Sequence, residues 1–167
     1  MKLKNNFLNQ FKMLLDLIVM SIIYFFIIYY LPCHDFKLVF FLLIPYFIFF
    51  FFPVLFLHLN YLNQDSQPVF INEGCLMVQK NKNEFLKYNS GQILDIKLYI
   101  NGSKGTVNGV LAFSNYYYAK INLWDGSSLI ITSLYSSKID RILKENFQDV
   151  KITTERVFYP MIRSREN

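Results

Sequence analysis

Side chains able to do chemistry are few in this chain of 167 residues, and they are scattered. Cys33-His34-Asp35 places three metal-binding residue types in succession. Neighbouring ligands in a short turn rarely converge on one ion, and no second cluster supplies further positions, so no metal is expected. Beyond Leu59 there is no histidine, so no Ser–His or Cys–His pair can activate a nucleophile there. Cys75 is the only thiol in that part, and its apolar stretch Cys75-Leu76-Met77-Val78 suits a buried small residue. Gly102-Ser103-Lys104-Gly105 lacks the spacing of a phosphate-binding loop and no helix follows it, so it reads as a flexible turn. No catalytic residue, cofactor or enzyme activity is expected.

The elements that would position these residues fall into two parts. Of the 167 residues, 53% are hydrophobic, 19% aromatic and only 17% charged, and most of the 18 Phe lie before residue 60. Met13 to Leu31 is apolar apart from Asp16, and Leu38 to Leu57 carries no charge. Both runs approach the ~20 residues that cross a bilayer core, and a backbone in lipid must be helical to satisfy its own hydrogen bonds. The first run is too long for a signal-peptide core and lacks a small-residue cleavage site, so a retained helix is expected. Pro45 and Pro53 should kink the second helix. Asp16 is expected at the headgroup level near the start of the first helix, and His58 at the end of the second.

Pro32 to Lys37 is long enough only for a tight turn, which makes the two runs an antiparallel hairpin with both chain ends on one side. Lys2, Lys4 and Lys12 in the basic tail 1–12 outweigh Lys37 in the turn. Positive residues stay cytoplasmic, so both ends are expected inside a plasma (inner) membrane. Cys33 and Cys75 then lie on opposite sides and form no disulfide.

A polar linker spans 59–68, and short apolar runs alternating with turns follow over 69–160, before a tail at 161–167. Val69-Phe70-Ile71 and Cys75 to Val78 flank the turn Glu73-Gly74. Phe85 to Tyr88 is a strand, as is the alternation of Leu94, Ile96, Leu98 and Ile100 with Asp95, Lys97 and Tyr99. Val110 to Phe113 is expected as a short strand. Tyr117, Ala119, Ile121 and Leu123 share one face of a strand that turns at Asp125-Gly126 into Leu129 to Thr132. A helix follows, capped by Ser137 with Asp140 three residues on, and its apolar face is Ile139, Ile142, Leu143 and Phe147. A last strand covers Val150 to Phe158.

The stretch Asn115-Tyr116-Tyr117-Tyr118-Ala119-Lys120-Ile121, then Asp125-Gly126, Leu129 to Leu134 and the helix, resembles small bacterial membrane proteins with a pleckstrin-homology-like (PH-like) domain after two N-terminal transmembrane helices. The resemblance implies a small β barrel or sandwich with one late helix, acting as a binding or scaffold module. Domains of that kind usually end in the helix, whereas a strand is expected after it here. From Leu59 onward 13 basic and 10 acidic residues leave a charge of +3, too mild to call for nucleic acid. Lys80, Lys82, Lys87, Lys97 and Lys104 are the candidate contacts to lipid headgroups.

The expected fold is therefore a membrane protein, a two-helix transmembrane hairpin followed by a small β-rich domain that folds on its own from about Asp65. The expected function is a membrane-anchored binding or scaffold protein whose partners are membrane lipids and a protein at the membrane. An accessory subunit of a larger membrane complex and an oligomeric transporter or channel component remain as alternatives.

Overall fold

A computed structural model of the chain describes residues 2–30, 36–65, 67–81, 84–102 and 112–163. Cys33, His34 and Asp35, Lys82, the loop from Ser103 through Lys104 and Gly105, and Val110 lie outside those residues.

The amino-terminal segment is not a free tail. Lys2–Leu3 forms β1, and helix α1 runs from Phe7 to Tyr30. The second apolar run is one rod in three pieces: α2 (Phe36–Tyr46), a π turn (Phe47–Phe51) and α3 (Phe52–Gln64). Pro45 lacks the amide that an α-helix needs, and the wider π turn follows directly after it. Pro53 falls within the first two positions of α3, where its missing amide costs little. The expected linker 59–68 is therefore helical through Gln64. The rods are antiparallel neighbours, tied where Ser21 Oγ meets Tyr46 Oη at 2.6 Å and where Tyr24 Oη donates to the Leu42 carbonyl at 2.5 Å.

The remaining strands are β2 (Val69–Asn72), β3 (Cys75–Asn81), β4 (Glu84–Asn89), β5 (Ile93–Asn101), β6 (Tyr117–Leu123), β7 (Ser128–Thr132) and β8 (Ile152–Val157), with α4 (Ile139–Asn146) before the last. They form two four-stranded sheets, ordered β1-β2-β3-β4 and β7-β6-β5-β8. The helical hairpin is thus inserted between two neighbouring strands of one sheet. The turn Glu73-Gly74 holds both residues at positive φ, 40° and 75°, as a type I′ hairpin requires. A Cβ on Gly74 would stand 2.5 Å from Ser90 Oγ, so glycine is needed there for space as well as for φ. Gly126, at φ 84°, turns β6 into β7.

Several expectations are corrected. The last strand, β8, pairs with β5 in parallel, and α4 lies in the connection that leads to it. Leu94 is not in the core. A register shift between Ile93 and Asp95 turns it outward and puts Ile93 inside instead. Ala112 and Phe113 are buried in a turn, not a strand. Ser137 does not cap α4; the cap position is Lys138, whose amide donates to Ser136 Oγ at 3.2 Å. The alternation in β6 and the buried face Ile139, Ile142, Leu143 and Phe147 are as expected.

Two cores result. The first fills the sandwich with Val69, Ile71, Leu76, Ile96, Leu98, Ala119, Ile121 and Ile131, is covered by α4, and includes Leu3 from β1. The second joins Met13, Val54, Leu57 and Tyr61 of the helices to Ala112, Phe113, Tyr116, Leu134 and Ile162. Both cores thus include residues from the segment before Asp65. Leu3→Ala is expected to cost about 2–4 kcal/mol in denaturant melts of the whole protein. A fragment starting at Asp65 is expected to lose its cooperative melt and to bind a hydrophobic dye, both readable by circular dichroism and fluorescence.

Candidate functional site

The polar groups that are held with most care line the seam between helices and sandwich. Asp16 does not stand at a helix start, since α1 begins at Phe7; its Oδ2 accepts from Asn115 Nδ2 at 2.6 Å and from Ser114 Oγ at 3.1 Å. His58 is not at a wet boundary either. It is buried, with Nδ1 2.8 Å from Tyr116 Oη. Two residues on, Asn60 forms a reciprocal pair with Ile162: Nδ2 donates to the carbonyl at 3.0 Å, and Oδ1 accepts the amide at 2.9 Å. Tyr61 Oη donates to the Pro160 carbonyl at 2.8 Å, and Asn9 Nδ2 to the Tyr135 carbonyl at 2.7 Å. These bonds lie beside the second core, where partial exclusion of water strengthens them.

Asp65 closes α3 and is 5% exposed. Thr132 Oγ1 of β7 donates to its Oδ2, while Oδ1 has no partner among the described residues. Burial pushes the carboxyl up from 3.8 to about 7, against the opposing effect of the Thr132 hydrogen bonds. Next to it, the Tyr135 hydroxyl donates to the Gln67 carbonyl, and burial first, then the Asp65 charge, raises its pKa. No sequence signal marked Asp65 as buried, because it sits in a stretch that reads as polar linker.

The candidate lysines that are described occupy different sheets. Lys87 lies on the outer face of the first sheet, in a row with Lys2, Phe70 and Met77 across all four strands. Lys2 Nζ stands 5.3 Å from the centre of the Phe70 ring, and the Phe70 and Phe85 rings meet edge to face at 5.7 Å. Lys80 is exposed in the register shift between Gln79 and Asn81. Lys97 lies on the second sheet, 3.8 Å from Glu155. Lys82 and Lys104 fall outside the described residues. Lys2 was missed from the sequence because a two-residue strand carries no periodicity.

Among the described residues no group of three His, Cys, Asp or Glu side chains could hold a metal ion. The architecture is a β-sandwich capped by one helix and joined to two long apolar helices. The sequence profile described as PH domain matches residues 2–140, most of the 167-residue chain, so the chain belongs to the PH-domain family. The match starts at β1 and ends within α4, so it takes in the inserted hairpin and leaves β8 outside. No curated protein matches the chain.

Asp65 gives the seam a pH dependence of definite sign. Its folded-state value is raised above the unfolded 3.8, so its contribution is fully present below that value and is lost as pH rises through about 7. In thermal melts, Asp65→Asn is expected to gain about 1–3 kcal/mol over the natural protein at pH 8 and almost nothing at pH 4. Asp125, lowered by its bonds from Ser127, slopes the other way but is present in both proteins and cancels in the comparison.

Proposed function

We propose that this chain is a membrane-anchored, non-enzymatic recognition protein. In this reading α1 and the α2–α3 rod cross a plasma (inner) membrane as a hairpin, both chain ends are cytoplasmic, and the sandwich recognises a protein partner or a lipid headgroup at the inner face. One observation carries it: away from the turns that form the second core, large apolar side chains of both helices are exposed. Ile22 is 64% exposed, Phe26 61%, Phe41 69% and Phe49 67%. A core helix of a soluble protein would bury such residues, whereas lipid covers them without cost. The helices of 24 and 28 residues are long enough to span a membrane. Membership of the PH-domain family supports a binding role over catalysis.

Because the lower turns of both helices pack beside the sandwich, the domain is drawn up to headgroup level and does not hang on a linker. Lys2 and Lys87, flanked by the half-exposed Phe85, then offer charge and an aromatic ring to an anionic leaflet, at about 1 kcal/mol for each lysine close to the surface. One observation favours the accessory-subunit reading: an apolar groove of about 640 Å3 runs between α1 and the π turn, lined by Ile18, Ile22, Phe25, Tyr46 and Phe51.

A membrane-impermeant maleimide added to intact cells is expected to label Cys33, and labelling should vanish in Cys33→Ser. External protease should leave residues 65–163 intact until the membrane is opened. Removal of that portion from sealed cells would invert the topology and overturn the cytoplasmic assignment.

A further inference from the structure

We propose that the segment after β8, with Phe158 and Met161 at its surface, is a wedge that enters the inner leaflet beside the helical hairpin, so that the sandwich itself touches lipid acyl chains. The inference deepens the membrane-spanning reading above and rests on it.

The first observation is the depth at which the segment is held. Tyr159 Oη donates to the Pro53 carbonyl at 2.5 Å, Tyr61 Oη donates to the Pro160 carbonyl at 2.8 Å, and Asn60 engages both main-chain groups of Ile162. From Phe36, at the start of α2, the rod rises ~25 Å to Pro53 and ~36 Å to Asn60, at 1.5 Å per residue. The hydrocarbon layer is about 30 Å thick, and the bilayer with its headgroups about 40–45 Å. With Phe36 at the far hydrocarbon boundary, Tyr159 meets the rod inside the near boundary and Ile162 meets it among the headgroups. Asp16 marks the same level on the other helix, ~21 Å along α1 from Tyr30. A carboxylate at that depth needs partners within the protein. Ser114 and Asn115 of the sandwich supply them.

The second observation is the surface presented at that depth. Phe158 is 77% exposed and Met161 46%. Their backbone is not loose. Asn101 Nδ2 donates to the Phe158 carbonyl at 2.5 Å, and the rings of Phe158 and Tyr159 meet Phe113 edge to face at 6.1 and 5.3 Å. Phe113 is itself buried in the second core, so the wedge has a fixed base. Phe52 and Phe56, at this height on α3, are also exposed, which continues the apolar band of the helices to the level of the segment. Arg156 and Arg163, exposed on either side of the wedge in the chain, supply cations for phosphates at the headgroup level. A soluble partner would have to reach turns of the rod that lie at hydrocarbon depth, whereas lipid already surrounds them.

The test uses the full chain reconstituted in vesicles of phosphatidylcholine and phosphatidylglycerol. The single tryptophan, Trp124, is exposed in the turn at the opposite end of β6 from the second core and marks the watery side. In a Trp124→Phe background, Phe158→Trp and Met161→Trp are each expected to emit at shorter wavelength than Trp124. Both should lose emission to phosphatidylcholine brominated high on its acyl chains, and less to the same lipid brominated near the chain ends. Trp124 in the unchanged protein should lose emission to neither lipid. Ile22→Trp in the same background reports on the hairpin and should be quenched more by the deeper bromine. The wedge is overturned if positions 158 and 161 are quenched no more than Trp124. Quenching of Ile22→Trp in that case keeps the hairpin in the membrane and removes only the wedge, whereas its absence removes the membrane-spanning reading too. Shielding of 158 and 161 from both brominated lipid and aqueous iodide would mean that protein, a second copy or a partner, covers them, and would overturn the lipid assignment.

Discussion

The pairing of β1 with β2 governs the rest of the structure. Only Lys2–Phe70 and Leu3–Val69 are in register, yet the chain between these partners holds every residue of both long helices. Neighbouring strands lie about 4.8 Å apart, whereas packed helices need about 8–10 Å. The connections 4–6 and 65–68 must absorb that mismatch. Asp65, in the second of them, is buried against Thr132 as a result. A hairpin that leaves and re-enters one sheet has little freedom to swing. The seam bonds from Asp16, His58 and Asn60 follow from that restriction, since the groups they join are held side by side whatever else the chain does.

This geometry changes how the domain would work at a membrane. A recognition module on a flexible tether searches a volume, whereas one whose second core is built from the tether's own helices presents fixed faces. The first sheet shows Lys2, Phe70, Met77 and Lys87 in one row. The second sheet has its outer face partly covered by α3, where Tyr61 meets Tyr118 and Asp65 meets Thr132.

Much was legible in the amino-acid order, and the exceptions have physical reasons. The alternation in β6, the Asp125-Gly126 turn and the apolar face of α4 are local patterns, each set by a period of two or of 3.6 residues. Leu94 obeyed the pattern and still failed, because a bulge shifts the period without any change of composition. Ser137 failed as a cap because α4 starts one residue later, with Lys138 at the cap position. The carboxylate of Asp16 read as interfacial because its partners, Ser114 and Asn115, lie 98 and 99 residues away.

Sequence alone determined the two long apolar helices, most strands of the sandwich and the late helix. Those properties belong to windows of a few residues, where hydrophobic period and turn chemistry suffice. Tertiary structure alone decided that Lys2–Leu3 closes a sheet, that β8 lies parallel to β5, and that Asp65 is buried. Each of these depends on two segments far apart in the chain meeting in space, and no local period encodes such a meeting.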